Sequence, residues 1–346
     1  MKAIAAFFLF TLSLLFLACH PHITILSYNV ENLFDDVDDG SEYEDFDPGN
    51  GKWNTATFEN RLASIAEVVR RSVAGGPDVL ALQEVEGEAA LHRLCDEYLW
   101  RQQYAYQVIV PAEDQAVHCA VASRLPIRRV GAWRPAESDS RPQRVILEVE
   151  IVLEVGRLYL FNAHWKSKTG GVPQTEDARR SSAAILRERL AAILSEDPEA
   201  DIVVLGDLNE NIQEPELVEK GIPRALSPLS PELACSAESV YLTHEPEKAG
   251  LQNGCLALYE TWFEIPEDDR WSYIYSGEPQ TPDHILLASG LFDTDGFFYA
   301  PGGFSVVRQD FLLQPRSGYP VRMRPDGSGY SDHLPLLIRL RYKRSP

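Results

Sequence analysis

Basic residues are scarce in this sequence: 32 lysines and arginines stand against 52 aspartates and glutamates, a formal net charge of −20 over 346 residues. A surface so acidic repels a long polyanion, which excludes a protein that coats nucleic acid. Cysteine is scarcer still, five in all, and none sits in a Cys-x-x-Cys pair or at Cys/His zinc spacing. That excludes a structural zinc module. Neither a repeat nor a long linker interrupts the chain. Apolar residues, by contrast, make up 45% of it and aromatics 10%, ample for a sizeable core.

One long apolar run is present, residues 3–18, with Lys2 before it and Cys19 after. About sixteen apolar residues are marginal for a membrane span and suit an export signal. The junction Leu17-Ala18-Cys19 resembles a bacterial lipobox. It implies a signal peptide over 1–18, lipidation of Cys19, and an exported lipoprotein anchored to a membrane, periplasmic or at the cell surface. Phe16 and Leu17 are bulkier than that pattern prefers, which leaves ordinary secretion and a retained anchor as alternatives. In an oxidising compartment Cys95, Cys119, Cys235 and Cys255 allow three pairings, and nothing in the sequence selects one. Cys235 and Cys255 flank a loop-like stretch and are favoured as a bridge; buried free thiols suit Cys95 and Cys119 as well.

Past the signal, a buried strand Ile23-Thr24-Ile25-Leu26-Ser27-Tyr28 ends at Asn29, and another, Asp78-Val79-Leu80-Ala81-Leu82-Gln83, ends at Glu84. Between them Phe58, Leu62, Ile65 and Val69 recur at helical spacing, one face of a helix packed on a sheet. Residues 106–161 read as consecutive strands, antiparallel where short turns such as Val155-Gly156-Arg157 join them. A helix with Ala183, Leu186, Leu190 and Ile193 facing inward precedes a strand at 202–205. Residues 211–269, rich in Pro, Glu and Ser, predict a long decorated loop with short helices, and strands resume at 271–275, 284–288, 297–300 and 336–340. Helix, strands, helix, strands fit one domain over 23–341. The expected fold is α/β, a four-layer α/β/β/α sandwich of two facing mixed sheets with helices outside. A polar site would lie at one end, where strand ends converge.

Polar groups at those strand ends carry the chemistry. Asn29, Glu84, Asn162-Ala163-His164, Gly206-Asp207-Leu208-Asn209, Asp283-His284 and Ser331-Asp332-His333 supply carboxylates, amides and imidazoles. A hydrolase needs such a set to hold a hard divalent cation, orient a water and stabilise a phosphoryl oxyanion. Asp207 and Asn209 lie two apart, so an extended segment puts both on one face. The run 35–47 holds eight carboxylates without EF-hand spacing, which favours a solvated loop over a calcium site. His284 points away from Asp283 across a strand and can act only from behind the site.

With the strings Ser27-Tyr28-Asn29-Val30-Glu31-Asn32-Leu33-Phe34-Asp35, Leu82-Gln83-Glu84-Val85-Glu86 and Asn162-Ala163-His164-Trp165-Lys166-Ser167, these residues resemble, in order, the motifs of the endonuclease/exonuclease/phosphatase superfamily, the fold of pancreatic deoxyribonuclease. The resemblance spans about residues 23–340 and is closest to the bacterial, often exported branch. It implies that Asn29, Glu84 and Asp332 surround Mg2+ or Mn2+, that Asp207 orients the attacking water, and that Asn209 bonds the phosphoryl oxygen. His333 would face the phosphate with Asp283 fixing its tautomer, and His164 would donate to a non-bridging oxygen or assist the leaving group. Lys166 and Arg322, with Lys168, Arg316 and Arg324 near them in sequence, are the basic residues available to bind the substrate's phosphate. The expected activity is that of an exported, monomeric, metal-dependent phosphodiesterase of nuclease type, taking nucleic acid or a small phosphodiester. A phosphatase or phosphodiesterase for lipid or inositol phosphates is the alternative. A non-catalytic binding protein on the same fold is the rival of another class, and it is disfavoured because every motif position holds the expected residue type.

Overall fold

The computed structural model describes residues 21–135, 143–230 and 235–343; the expected signal peptide and Cys19 lie outside the described residues. One sheet is built from β1 (His22–Leu33), β2 (Val79–Val85), β3 (Tyr106–Ile109), β4 (His118–Ser123), β16 (Phe297–Val306) and β17 (Leu336–Tyr342), in the order β16-β17-β1-β2-β4-β3. The other holds β5 (Ile127–Trp133), β6 (Ile146–Leu153), β7 (Gly156–His164), β8 (Asp201–Asp207), β9 (Leu226–Pro228), β10 (Val240–Thr243), β11 (Gly250–Gln252), β12 (Cys255–Glu260) and β15 (Asp283–Leu287). Its order is β5-β6-β7-β8-β15-β12-β10-β9, with β11 on β12. Both sheets are mixed: β1 runs parallel to β2 and antiparallel to β17, and β7 runs parallel to β8, which is antiparallel to β15. A separate hairpin pairs β13 (Tyr273–Tyr275) with β14 (Glu278–Gln280). The helices are α1 (Thr55–Ser72), α2 (Glu88–Arg93), α3 (Val172–Glu196) and α4 (Pro215–Glu219).

Strand alternation produces the layers. Leu26 and Tyr28 of β1 and Leu80 and Leu82 of β2 pack outward with Phe58, Leu62, Ile65 and Val69 of α1. Their neighbours Ile23, Ile25, Val79 and Ala81 point the other way and meet Leu158, Leu160, Val203 and Leu205 of the second sheet. On its far face Ile202 and Val204 join Ala183, Leu186, Leu190 and Ile193 of α3. Two period-two strand patterns and two helical stripes thus give four layers and three cores. Asn54 opens α1 by accepting the N–H groups of Ala56 and Thr57 at 3.0 and 3.2 Å.

Three elements differ from the sequence expectation. β4 and β5 do not pair; the chain changes sheets through Leu125-Pro126, because proline breaks the ladder there. Within 211–269 the chain forms β9, β10 and β12, which widen the second sheet. Strands of three to six residues show too little periodicity to stand out from a Pro/Glu/Ser-rich background. The 271–275 segment belongs to the hairpin rather than to either large sheet. Cys235 and Cys255 are disulfide-bonded with Cα atoms 5.3 Å apart, and Cys95 and Cys119 are buried free thiols.

Two irregularities aim side chains at one end of the sandwich. The β1/β2 register shifts between Asn29 and Leu33, where Glu31 and Asn32 take φ of 50° and 68°; the β2/β4 register shifts between Leu82 and Val85, where Glu84 takes φ of 67°. Left-handed backbone at non-glycine residues is uncommon, and strand bulges of this kind re-aim side chains beside sites. Below the second bulge, fully buried Asn162 of β7 bolts the sheets together. Its Nδ2 donates to the carbonyls of Leu82 and Ala120, both at 2.9 Å, and its Oδ1 accepts from Gln83 Nε2 at 2.7 Å. Asn162→Ala leaves those three groups unpaired in the interior, so urea unfolding should show a loss of about 3 kcal/mol or more. A loss under about 0.5 kcal/mol would show that the bolt contributes nothing net.

Candidate active site

At the bulged end a cleft of about 710 Å³ gathers side chains from both sheets, among them Glu84, His164, Asp207, Asn209, Asp332 and His333. A second hollow of about 510 Å³, between Leu194, Pro246 and Phe292, contains none of them.

Asp207 ends β8 at the centre of the group. Gly206 before it has φ of 126°, and a Cβ there would lie 2.0 Å from the carbonyl oxygen of Ala163, so only glycine lets β8 approach β7 closely enough. Asp207 Oδ2 accepts Asn29 Nδ2 at 2.9 Å and Oδ1 accepts the backbone N–H of Asn209 at 3.0 Å. Burial pushes its carboxyl up to about 7, and the charges of Asp283 and Glu84 add to that, against the opposing pull of His333.

His333 is paired as the sequence suggests. Its Nδ1–H donates to Asp283 Oδ2 at 2.8 Å, and Ser272 Oγ donates to the same oxygen at 2.5 Å. Its Nε2 lies 3.9 Å from Asp207 and 3.8 Å from Asp332. Burial opposes a charge on this ring, yet Asp283, Asp207 and Asp332 together hold its pKa well above the usual histidine value. The ring of Tyr273 covers it, centroids 4.7 Å apart.

His164 behaves in the opposite way. Arg144 Nη1 donates to its Nε2 at 2.9 Å and to the carbonyl of Trp165 at 2.9 Å. A guanidinium only donates, so this nitrogen accepts and a neutral ring carries its proton on Nδ1, which has no partner among the described residues. Burial, then the charge of Arg144, keeps the pKa well below the usual value. The contacts of Nε2 with Asp207 (3.4 Å) and Glu84 (3.8 Å) are therefore not ion pairs. Arg144, absent from the sequence motifs, is the group that offers N–H donors here, rather than His164.

Of the expected cation ligands, Glu84 and Asp332 line the cleft. Asn29 turns its amide nitrogen to Glu84 (3.2 Å) and Asp207, while its oxygen accepts the N–H of Glu31. Between two acceptors, a donor is the favourable orientation. Asp207, Asp283 and His333 also bring ligand-type atoms within 4.8 Å of one another, but Asp283 and His333 use theirs on each other. Glu84 and Asp332 are both carboxylates of the cleft wall, oxygen donors of the kind a hard cation takes, and a cation there would offset the charge of Glu84 that adds to burial in raising Asp207.

The basic residues fall out differently from expectation. Arg322 reaches the cleft but is engaged by Glu31 Oε1 at 2.9 Å and Asp332 Oδ2 at 3.0 Å. Glu31, standing on its left-handed bulge, also accepts the backbone N–H groups of Met323 (2.8 Å) and Asp332 (3.0 Å), and so ties the loop before β17 to β1. Ser167 and Lys168 line the cleft, while Lys166 just before them has its carbonyl taken by Arg179 at 3.3 Å and adds its charge to that of Arg144 in lowering the His164 pKa. Lys168 is paired with Glu214. Beneath the site, fully buried Arg61 holds the carbonyls of Asn32 (3.0 Å) and Tyr330 (2.6 Å). Glu31, Arg61, Arg144 and Tyr273 have no individual sequence signal.

The acidic run beside the cleft is folded onto Glu86. Glu86 accepts the N–H of Asp35 at 2.6 Å, and Glu42 those of Asp39 and Gly40, so loop amides occupy these carboxylates. Burial, with Asp35, Glu42 and Asp39 adding charge, pushes Glu86 up to about 8. A raised carboxyl pKa favours the folded state at low pH and costs stability as pH climbs through the ordinary carboxylate range toward that value. Glu86→Gln should therefore raise the melting temperature at about pH 8.5 and leave it unchanged at about pH 4. Equal shifts at both values would contradict this.

The family model described as Endonuclease/Exonuclease/phosphatase family matches residues 24–226. No curated protein matches the chain. Among solved structures it is similar to truncated Caenorhabditis elegans TDP2, with 13% identity and a TM-score of 0.53 over 92% of this chain and 97% of that one. It is similar to ANGEL2, a 2′,3′-cyclic phosphatase, in complex with adenosine-2′,3′-vanadate (18%, TM-score 0.54, 94% and 97% covered), and to the human Nocturnin catalytic domain with bound sulfate (16%, 0.51, 94% and 96%). At these identities the likeness is one of fold.

Proposed function

Since this chain belongs to the endonuclease/exonuclease/phosphatase family, whose members hydrolyse phosphoester bonds, we propose that it is a divalent-metal-dependent phosphodiesterase of nuclease type that acts on small substrates. The observation that carries the reading is Asp207: a buried carboxylate of raised pKa, fixed by Asn29 and Asn209 and faced by two histidines with opposite proton affinities. Paired groups pushed apart in this way assign acid and base. Asp207 orients the attacking water and takes up its proton. His333, kept protonated by Asp283, donates from Nε2 to the phosphoryl or leaving oxygen, and Arg144 and Asn209 hold the non-bridging oxygens. Mg2+ or Mn2+, held by Glu84 and Asp332 with Asn29 beside them, would neutralise developing charge on phosphorus oxygens.

Charge pairing supports a substrate with one phosphate. Arg322 and Lys168 are matched to carboxylates, whereas Arg144 has no carboxylate partner among the described residues. The vanadate complex of ANGEL2 is that of a nucleotide-like ligand, which favours a nucleoside phosphodiester over a lipid phosphate. The same reading puts the enzyme outside the cytoplasm as a monomer tethered through Cys19, and the Cys235–Cys255 bridge supports an oxidising compartment.

The test is turnover of bis(p-nitrophenyl) phosphate, which should vanish in excess EDTA and return with magnesium or manganese. Full activity in chelator overturns the metal-dependent reading. Faster turnover of an inositol phosphate or a phospholipid than of a dinucleotide would move the assignment to the lipid and inositol branch.

A further inference from the structure

β15 carries a second histidine–carboxylate pair, back to back with the first. Asp283 faces the cleft and holds His333, while the next residue, His284, points through the sheet the other way and is wholly buried. Its Nδ1 lies 2.5 Å from Oε2 of Glu260, also wholly buried at the end of β12, and its Nε2 lies 3.0 Å from the carbonyl oxygen of Glu210. A carboxylate and a carbonyl both accept. For both contacts to be hydrogen bonds, the pair must hold one proton more than a neutral imidazole and an ionised acid. The far end of Glu260 is fixed too: its Oε1 accepts the N–H of Trp262 at 3.1 Å, and the Trp262 indole N–H donates to the Asp283 carbonyl at 2.8 Å.

What this pair grips is the turn that carries the reacting groups. Glu210 directly follows Asn209, whose φ of 51° is a left-handed conformation that a non-glycine residue keeps only where its surroundings impose it. The turn is held by Asn209 N–H to Asp207 Oδ1, by Leu208 N–H to the Pro282 carbonyl at 2.8 Å, and by His284 on the Glu210 carbonyl. The Glu210 side chain is anchored by Arg179, which also holds Glu176 at 2.7 Å. Burying such ions costs several kcal/mol where apolar residues would pack at less expense, so a pair kept here calls for a reason beyond stability.

We propose that Glu260 and His284 are positioning residues for the phosphoesterase reaction, locking the turn after Asp207 so that the Asn209 amide stays in register with Asp207, Asp283 and His333. The proposal rests on the phosphoesterase reading given above. Glu260→Gln keeps the size and the Trp262 contact while removing the charge, and His284→Gln cannot satisfy both acceptors. Each should lower kcat on bis(p-nitrophenyl) phosphate about 10-fold or more with KM changed less than about 2-fold, since the loss is of aim rather than of binding. In an Asn209→Ala background the same substitutions should cost less than about 2-fold, because the group they position is gone. Thermal unfolding is measured in parallel, and should His284→Gln fail to fold, Glu260→Gln carries the cycle alone. A full loss repeated in the Asn209→Ala background, or a kcat loss that follows the fraction unfolded, overturns the positioning role while leaving the enzyme reading intact. A wild-type protein inert on every phosphoester takes down both.

Discussion

Asp207→Ala is expected to lower kcat on a phosphodiester by about 100- to 1000-fold, the scale on which removing a general base or an oriented oxyanion partner acts. Both its oxygens are committed, Oδ1 to the Asn209 backbone and Oδ2 to Asn29 with His164 and His333 close by, so one truncation disturbs water, amide and imidazoles together. The fold should still form, since the Asn29 amide keeps Glu84 as an acceptor when Asp207 is gone. A buried acid held near pH 7 is a cost to the native state at higher pH, and removing it relieves that cost. Asp207→Asn preserves shape but cannot take up a proton, and it should be as inactive as the alanine variant. His333→Ala and Glu84→Ala should each lose at least about 100-fold. Steady-state kinetics with circular dichroism in parallel decides the matter: a folded Asp207→Ala protein within about tenfold of wild type would mean that another group handles the water.

Arg144→Ala should be nearly as severe, about 100-fold in kcat/KM, since it removes a cleft cation that no carboxylate among the described residues neutralises and with it a donor to the phosphoryl oxygens. Arg144→Lys should not restore the rate, because a point charge cannot bond His164 and the Trp165 carbonyl and still address substrate. Removing the arginine also lifts part of what keeps the His164 pKa low, burial being the larger part, so an NMR titration should find that ring taking up a proton at a higher pH than in the wild type. Added guanidinium that recovers part of the rate would identify the missing fork. An Arg144→Ala variant with unchanged kcat/KM would show that the arginine serves only to orient His164.

Much of the site could be read because its carboxylates and imidazoles terminate strands whose apolar runs are unmistakable: Asp207, Asp283 and Glu84 each follow or open such a run. The layers could be read for the same reason, alternate residues of β1, β2 and β8 feeding different cores. What escaped depends on geometry that a linear pattern does not contain. Glu31 matters because two left-handed residues swing it toward Arg322, and Arg144 because a loop brings it under His164. The lysines after His164 show the same limit: proximity in sequence does not say which side chain reaches the cleft wall, and it is Lys168 that lines it, paired with Glu214. Arg322 has the expected address but a different occupation, two carboxylates.

β1 and β17 are nearest neighbours in the first sheet, His22 opposite Arg341, and Asp332-His333 sit immediately before β17. Strands separated by most of the described chain therefore pair with each other, and the first sheet cannot close beside Asp332 and His333 until that long-range pairing has formed. Loop-closure entropy over so long a stretch of chain makes this pairing slow. A family member built this way has no complete cleft until its longest-range strand contact has formed.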